Sequence, residues 1–100
     1  MKKFVMLSSL TASGAKTIKE KPDRIKEVNK EVEKMGGKIL SQYAILGPFD
    51  FLTIISASDE ETVAKISLEI SQRGSVKITT YPAIDVDDFI NKIKERWDAD

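Results

Sequence analysis

Few residues in this chain of 100 can do chemistry, because it contains neither histidine nor cysteine. The commonest general base, the commonest metal ligand and the thiolate nucleophile are all missing. A disulfide scaffold, a thiol enzyme and a thiolate zinc site are excluded with them. Acid/base work would therefore fall to Asp50, Lys77, Tyr43 or Tyr81, acting through a perturbed pKa. Lys77, Thr79 and Tyr81 alternate along one short β-compatible run, so they share a face. Val76, Ile78 and Thr80 form the more apolar opposite face, which sends Lys77 and Tyr81 away from the core. A lysine there offers positive charge to an anionic or carbonyl ligand, and a tyrosine offers an orienting hydroxyl. Lys77 and Tyr81, followed by Tyr43 and Asp50, are the candidate ligand-binding residues. An exposed edge strand on which lysine deters aggregation explains the same pattern. No residue is assigned a catalytic role, and no metal or cofactor is expected.

Other constellations dissolve on inspection. Asp85, Asp87 and Asp88 lack the loop and glycine of a calcium-binding hand, and acidic residues suit the first turn of a helix. Gly36-Gly37 follows a helix and precedes a strand, the wrong order for a phosphate loop. Neither a Walker loop nor a dinucleotide fingerprint is present. More informative are Ser8, Ser9, Gln42, Tyr43, Thr53, Lys77, Thr79 and Tyr81, which interrupt otherwise apolar strands. They can line a cleft between a sheet and its partner.

The elements that must position these residues follow from hydrophobic period. Residues 3–10 read as a strand. Residues 11–20 form a turn or short helix with Thr11 or Ser13 as N-cap. Pro22 suits the first turn of the next helix, in which Ile25, Val28, Val32 and Met35 make one stripe. Asp23–Lys26, Glu27–Lys30 and Glu31–Lys34 are opposite-charge pairs on its wet side, and Gly36-Gly37 ends it. Residues 38–46 are a second strand, with Ile39, Tyr43 and Ile45 on one face and Leu40, Ala44 and Leu46 on the other. A turn at 47–50 leads into a third strand at 51–57. Ser58 and Glu61 match a capping box for a helix carrying Val63, Ile66 and Ile70 that stops at Arg73-Gly74. Residues 75–81 are a fourth strand ended by Pro82. Asp85 caps a last helix whose apolar face comprises Val86, Phe89, Ile90, Ile93 and Trp97. In register with Phe89 and Ile93, the Trp97 indole is expected to be at least partly buried.

This order is β-α-β-β-α-β plus a C-terminal helix, the α+β, ferredoxin-like pattern of an antiparallel sheet with helices on one face. A single domain spans residues 1–100. The third strand, central in such a sheet, is apolar on both parities: Phe51, Ile55 and Ala57 against Leu52 and Ile54. Both faces must then be covered, and two helices cover one. The sheet of a second subunit is the simplest cover, with the Trp97 helix as a competitor, so a homodimer or higher homo-oligomer is expected.

Charge points to no polyelectrolyte partner. Sixteen basic and sixteen acidic residues cancel, although residues 1–50 carry ten against six and residues 51–100 six against ten. Two solvated helix faces of opposite sign account for that split. An RNA-recognition domain shares the fold order, but Gly47-Pro48 stands where its basic-Gly-aromatic motif would open the third strand. Neither nucleic acid nor membrane is an expected partner. Lys2-Lys3 and the apolar segment after it resemble a signal peptide only loosely, since Ser8 and Ser9 interrupt the segment and cleavage would delete a strand. The expected location is cytoplasmic.

The run Gln42-Tyr43-Ala44-Ile45-Leu46-Gly47-Pro48-Phe49-Asp50-Phe51 resembles the signature of the GYD-domain family. The likeness continues through Ser58-Asp59-Glu60-Glu61-Thr62 and Arg73-Gly74-Ser75-Val76. Upstream, Leu10-Thr11, Gly14-Ala15-Lys16-Thr17-Ile18-Lys19 and Pro22-Asp23-Arg24 resemble that family's first connection, so residues 4–90 are covered. The resemblance implies a dimeric α/β barrel, in which two ferredoxin-like subunits pack their open sheet faces together. In place of the family's Gly-Tyr-Asp turn stand Gly47, Phe49 and Asp50 with Pro48 between. Phenylalanine there removes a phenolic hydroxyl while keeping an aromatic ring for packing. Relatives in the wider superfamily include cofactor-free monooxygenases, isomerases, haem-degrading enzymes and ligand-sensing domains, a breadth that fixes no reaction. Haem ligation would here have to rest on tyrosine. The leading functional expectation is a small-molecule binding or sensing module. A cofactor-free isomerase or monooxygenase and a structural interaction domain are the alternatives.

Overall fold

A computed structural model describes residues 1–96. The elements run β1 (Lys2–Leu10), α1 (Ala12–Glu20), α2 (Arg24–Lys34), β2 (Lys38–Ala44), β3 (Phe51–Ala57), α3 (Glu60–Ser71), β4 (Val76–Ala83) and α4 (Val86–Lys94). The four strands form one antiparallel sheet in the order β2-β3-β1-β4. This is the ferredoxin-like α+β pattern, with β1 and β3 central and the first crossover split into two consecutive helices.

One face of the sheet makes the core. Phe4 pairs with Ile55 and Met6 with Thr53, so their side chains stand in one layer. Val32 of α2 and Val63, Ile66 and Ile70 of α3 close over that layer. Ile55 and Ile66 are completely buried, and each such side chain is worth about 1.5–3 kcal/mol in apolar transfer. The α1 end is clamped by close backbone approach. Thr11 caps the helix by accepting from Gly14 N–H (3.1 Å) while its own hydroxyl donates to Gly74 C=O (2.7 Å). A Cβ on Gly14 would lie 2.0 Å from the Ser75 carbonyl oxygen, so only glycine fits this crossing of α1 over the start of β4.

Several details differ from the sequence reading, each for a local reason. A bulge between Ile39 and Ser41 lets β2 change faces in mid-strand, so Ile39 and Tyr43 lie on opposite sides of the sheet. The strand also stops at Ala44 instead of reaching Leu46. The α3 N-cap is Asp59, not Ser58: its carboxylate accepts from Thr62 N–H at 2.8 Å, and that hydrogen bonding holds its pKa below the usual value. β4 continues through Pro82 to Ala83, because an edge strand tolerates a missing N–H. On α2 the ion pairs that form are Arg24 with Glu27 and with Glu31, and Glu31 also meets Arg73 from beyond the end of α3. Asp85 occupies the N-cap position of α4 but turns its carboxylate to Lys3 Nζ at 2.9 Å.

Helix α4 does not fold back onto the sheet. None of its residues is buried, and Phe89, Ile90 and Ile93 are all exposed. The chain is accordingly elongated, with extents of 62 × 29 × 19 Å. Its radius of gyration is 16.2 Å, against about 13 Å for a compact domain of 100 residues. Trp97 lies outside the described residues. Gly14→Ala should lower the unfolding free energy by about 3 kcal/mol in urea denaturation, because the clash is with backbone that cannot rotate away.

Candidate functional site

Among the described residues, no helix lies over the face of the sheet opposite the core. Val5 stands between Ile54 and Tyr81, and Leu7 between Leu52 and Thr79, so an apolar band crosses the two central strands. Tyr43 extends the band on β2, opposite Leu52. Lys77, Thr79 and Tyr81 do share this open face, since Val76 and Ile78 pack on the core side. The structure does not gather the candidate residues around one point, however. Tyr43 and Tyr81 project from opposite edge strands, three strand spacings or about 14 Å apart. Both rings are half exposed, Tyr43 at 59% and Tyr81 at 52%, and Lys77 is exposed. None of these three lines the cavity on the helix side of the sheet.

Asp50 has a structural task. Its Oδ2 accepts from Leu10 N–H at 2.7 Å, while its own N–H donates to Ser8 C=O at 2.8 Å and its carbonyl accepts from Ile45 N–H at 2.8 Å. The Ser9 hydroxyl adds a bond to Pro48 C=O at 3.0 Å. The 45–50 turn is thereby fastened to the end of β1. Gly47, at φ 136°, supplies the backbone conformation that this turn requires.

A cavity of about 140 Å³ lies on the other side, between the sheet and α1–α3. Sequence reasoning missed it as a whole, although polar residues on core-facing strand positions were its signal. Ser8, Gln42 and Thr53 belong to it and not to the open face, so the eight strand-interrupting polar residues divide between the two sides. Gln42 reaches the cavity because the β2 bulge changes its parity. Its amide donates to Thr53 Oγ1 (3.0 Å) and exchanges bonds with Asn29 of α2 (2.8 and 3.2 Å). Arg24 and Arg73 also line the cavity, and Glu31 pairs with both. The Arg73 guanidinium holds the Glu31 carboxyl below its usual pKa, with Arg24 assisting and burial opposing.

A ferredoxin-like protomer with one helix-covered sheet face and one open one defines the class. Within it, the GYD domain matches residues 4–93, and the chain belongs to that family. It is 47% identical over 95 residues to a protein of Thermus thermophilus named glutamine synthetase and cystathionine beta-lyase binding protein, covering 94% of this chain and all of that one. A similar fold is found in the crystal structure of TTHA0845, also from Thermus thermophilus, with a TM-score of 0.56 at 15% identity, covering 85% of this chain and 95% of that one. Among the described residues, no helix is long and apolar enough to cross a membrane, and no three acidic side chains gather where they could hold a metal. Asp50→Ala should cost about 1–3 kcal/mol of stability by leaving the Leu10 N–H without its acceptor, measured by urea melts. Asp50→Asn, which keeps a side-chain oxygen, should cost less.

Proposed function

We propose that this chain is a protein-binding module: it pairs with a second copy through the open sheet face and presents α4 to other proteins, metabolic enzymes among them. The observation that carries this reading is α4 itself. Val86, Phe89, Ile90 and Ile93 are exposed on a helix that no part of the described chain covers. An amphipathic helix with anchors at such spacing suits docking into a groove on a partner. The 47% identical relative bears a name that gives it two enzymes as binding partners, which favours the same kind of partner here.

The open face suits self-association for a different reason. It is apolar at its centre, through Val5, Leu7, Leu52 and Ile54, and polar or aromatic toward the edges, and a two-fold contact requires such a patch to match itself. Under this pairing Lys77, Tyr81 and Tyr43 form the rim. A small-molecule site between the two sheets would use them as its wall.

The test is biolayer interferometry of the chain against glutamine synthetase from its own source organism, with Phe89→Asp/Ile93→Asp as the comparison. We expect micromolar binding that weakens at least tenfold in the double variant, whose mass in solution is unchanged. Equal binding by both proteins, or loss of self-association in the variant, would contradict the division of labour between α4 and the sheet.

A further inference from the structure

We infer that the open pocket between the sheet and α1–α3 binds a small neutral hydroxyl compound, a phenol or alcohol whose remainder is a compact apolar body. This goes beyond the docking reading and does not depend on it, because the pocket lies on the opposite face of the sheet from the self-association surface.

The apolar body follows from a wall that the fold leaves unfinished. Ile18 of α1, Ile25 and Val28 of α2, Phe51 of β3 and Val76 and Ile78 of β4 all line the pocket, and each stays only half-buried. Beneath them Met6, Val32 and Ile70 are buried, so the pocket is an opening onto the core with room of about 140 Å³. An apolar body of ring size seated there takes this surface out of water.

The charge of the ligand follows from the rim. Arg24 pairs with Glu27 and Glu31, and Arg73 pairs with Glu31. Two positive and two negative side chains close on one another, which leaves no unmatched charge for an anion or a cation. A charged ligand would lose hydration there without gaining a counter-charge.

The hydroxyl follows from three pocket-lining residues, Asn29, Gln42 and Thr53, that form one run of hydrogen bonds. Thr53 is 7% exposed and its Oγ1 accepts from Gln42, while its own proton meets no acceptor among the described residues. Gln42 donates from Nε2 to both Asn29 and Thr53, and its Oε1 accepts one bond, from Asn29. An amide oxygen has two lone pairs, so one of them stays open. A donor on Thr53 and an acceptor on Gln42 are thus left side by side, and a ligand hydroxyl answers both. An ether or ketone would answer only the donor, and a hydrocarbon neither.

The experiment titrates the full isotope-labelled chain at pH 7 with four probes that share one ring: phenol, anisole, toluene and benzoate. Chemical-shift changes give the affinity, and the signals that move, side-chain amides of Asn29 and Gln42 included, give the place. Phenol should bind in the millimolar range, about fivefold or more tighter than anisole or toluene. Benzoate should bind most weakly. Thr53→Val, which keeps the shape and removes the hydroxyl, should bring phenol down to the level of toluene and leave toluene unchanged. Val28→Trp, which fills the pocket from α2, should abolish binding of both. The ranking of the four probes on the unaltered chain decides the matter should a variant fail to fold. Absence of phenol binding would overturn the inference. So would equal binding of phenol and toluene, tighter binding of benzoate than of phenol, or shifts confined to Val5, Leu7 and Ile54 on the open face. Phe89→Asp/Ile93→Asp should bind phenol as the unaltered chain does, so failure of enzyme docking is read separately.

Discussion

The central strands of this antiparallel sheet are apolar on both faces while the described chain covers only one of them, and this constraint organises the molecule. Phe4, Met6 and Ile55 answer it on one side by packing under α2 and α3. Val5, Leu7, Leu52 and Ile54 raise the same demand on the other side, where the described residues supply no helix. Helix α4 has the composition to cover that face but stands clear of it, anchored at its start by the Lys3–Asp85 ion pair. An exposed surface pair of this kind contributes little stability. The described chain thus exposes two apolar surfaces of the kind that marks protein–protein contact sites.

The covered side follows a different logic. Gly14 brings α1 against Ser75, and the Asp50 carboxylate fastens the hairpin turn to the end of β1, so the α1 end of the sheet is held by contacts to backbone from two sides. Arg24, Glu31 and Arg73 tie α2 to the end of α3 across the mouth of the cavity. Between these two fastenings the packing is left open, and the residues exposed to the opening include a hydrogen-bonded amide pair and two guanidiniums. One sheet therefore separates two surfaces of unlike chemistry, broad and apolar outside, confined and polar-edged within.

Much of the architecture was legible in the sequence, because period-two and period-3.6 patterns report burial directly. The element order, the two-faced third strand and the face taken by Lys77, Thr79 and Tyr81 all follow from such patterns. The face taken by Tyr43 came only from the structure. The β2 bulge is a register shift that no periodicity announces, and it reversed the expected parity between Ile39 and Tyr43 and sent Gln42 inward. The cap at Asp59 was missed by one residue because Ser58 and Asp59 are both good cap formers. Asp50 looked chemical because a carboxylate in a turn is compatible with acid/base work, and its bond to Leu10 N–H depends on a contact forty positions away. The cavity was the least legible feature, since it is assembled from three helices and all four strands. Ser8, Gln42 and Thr53 were noticed as polar interruptions, yet their shared destination depended on the bulge.

The central claim is that the open sheet face is closed by a second copy of the chain. Size-exclusion chromatography with light scattering at micromolar concentration measures this directly, with Ile54→Lys as the control at the centre of the face. The account predicts twice the 11.2 kDa chain mass or a higher multiple, falling to a single chain in the variant. A folded species of single-chain mass from the unaltered protein would contradict it.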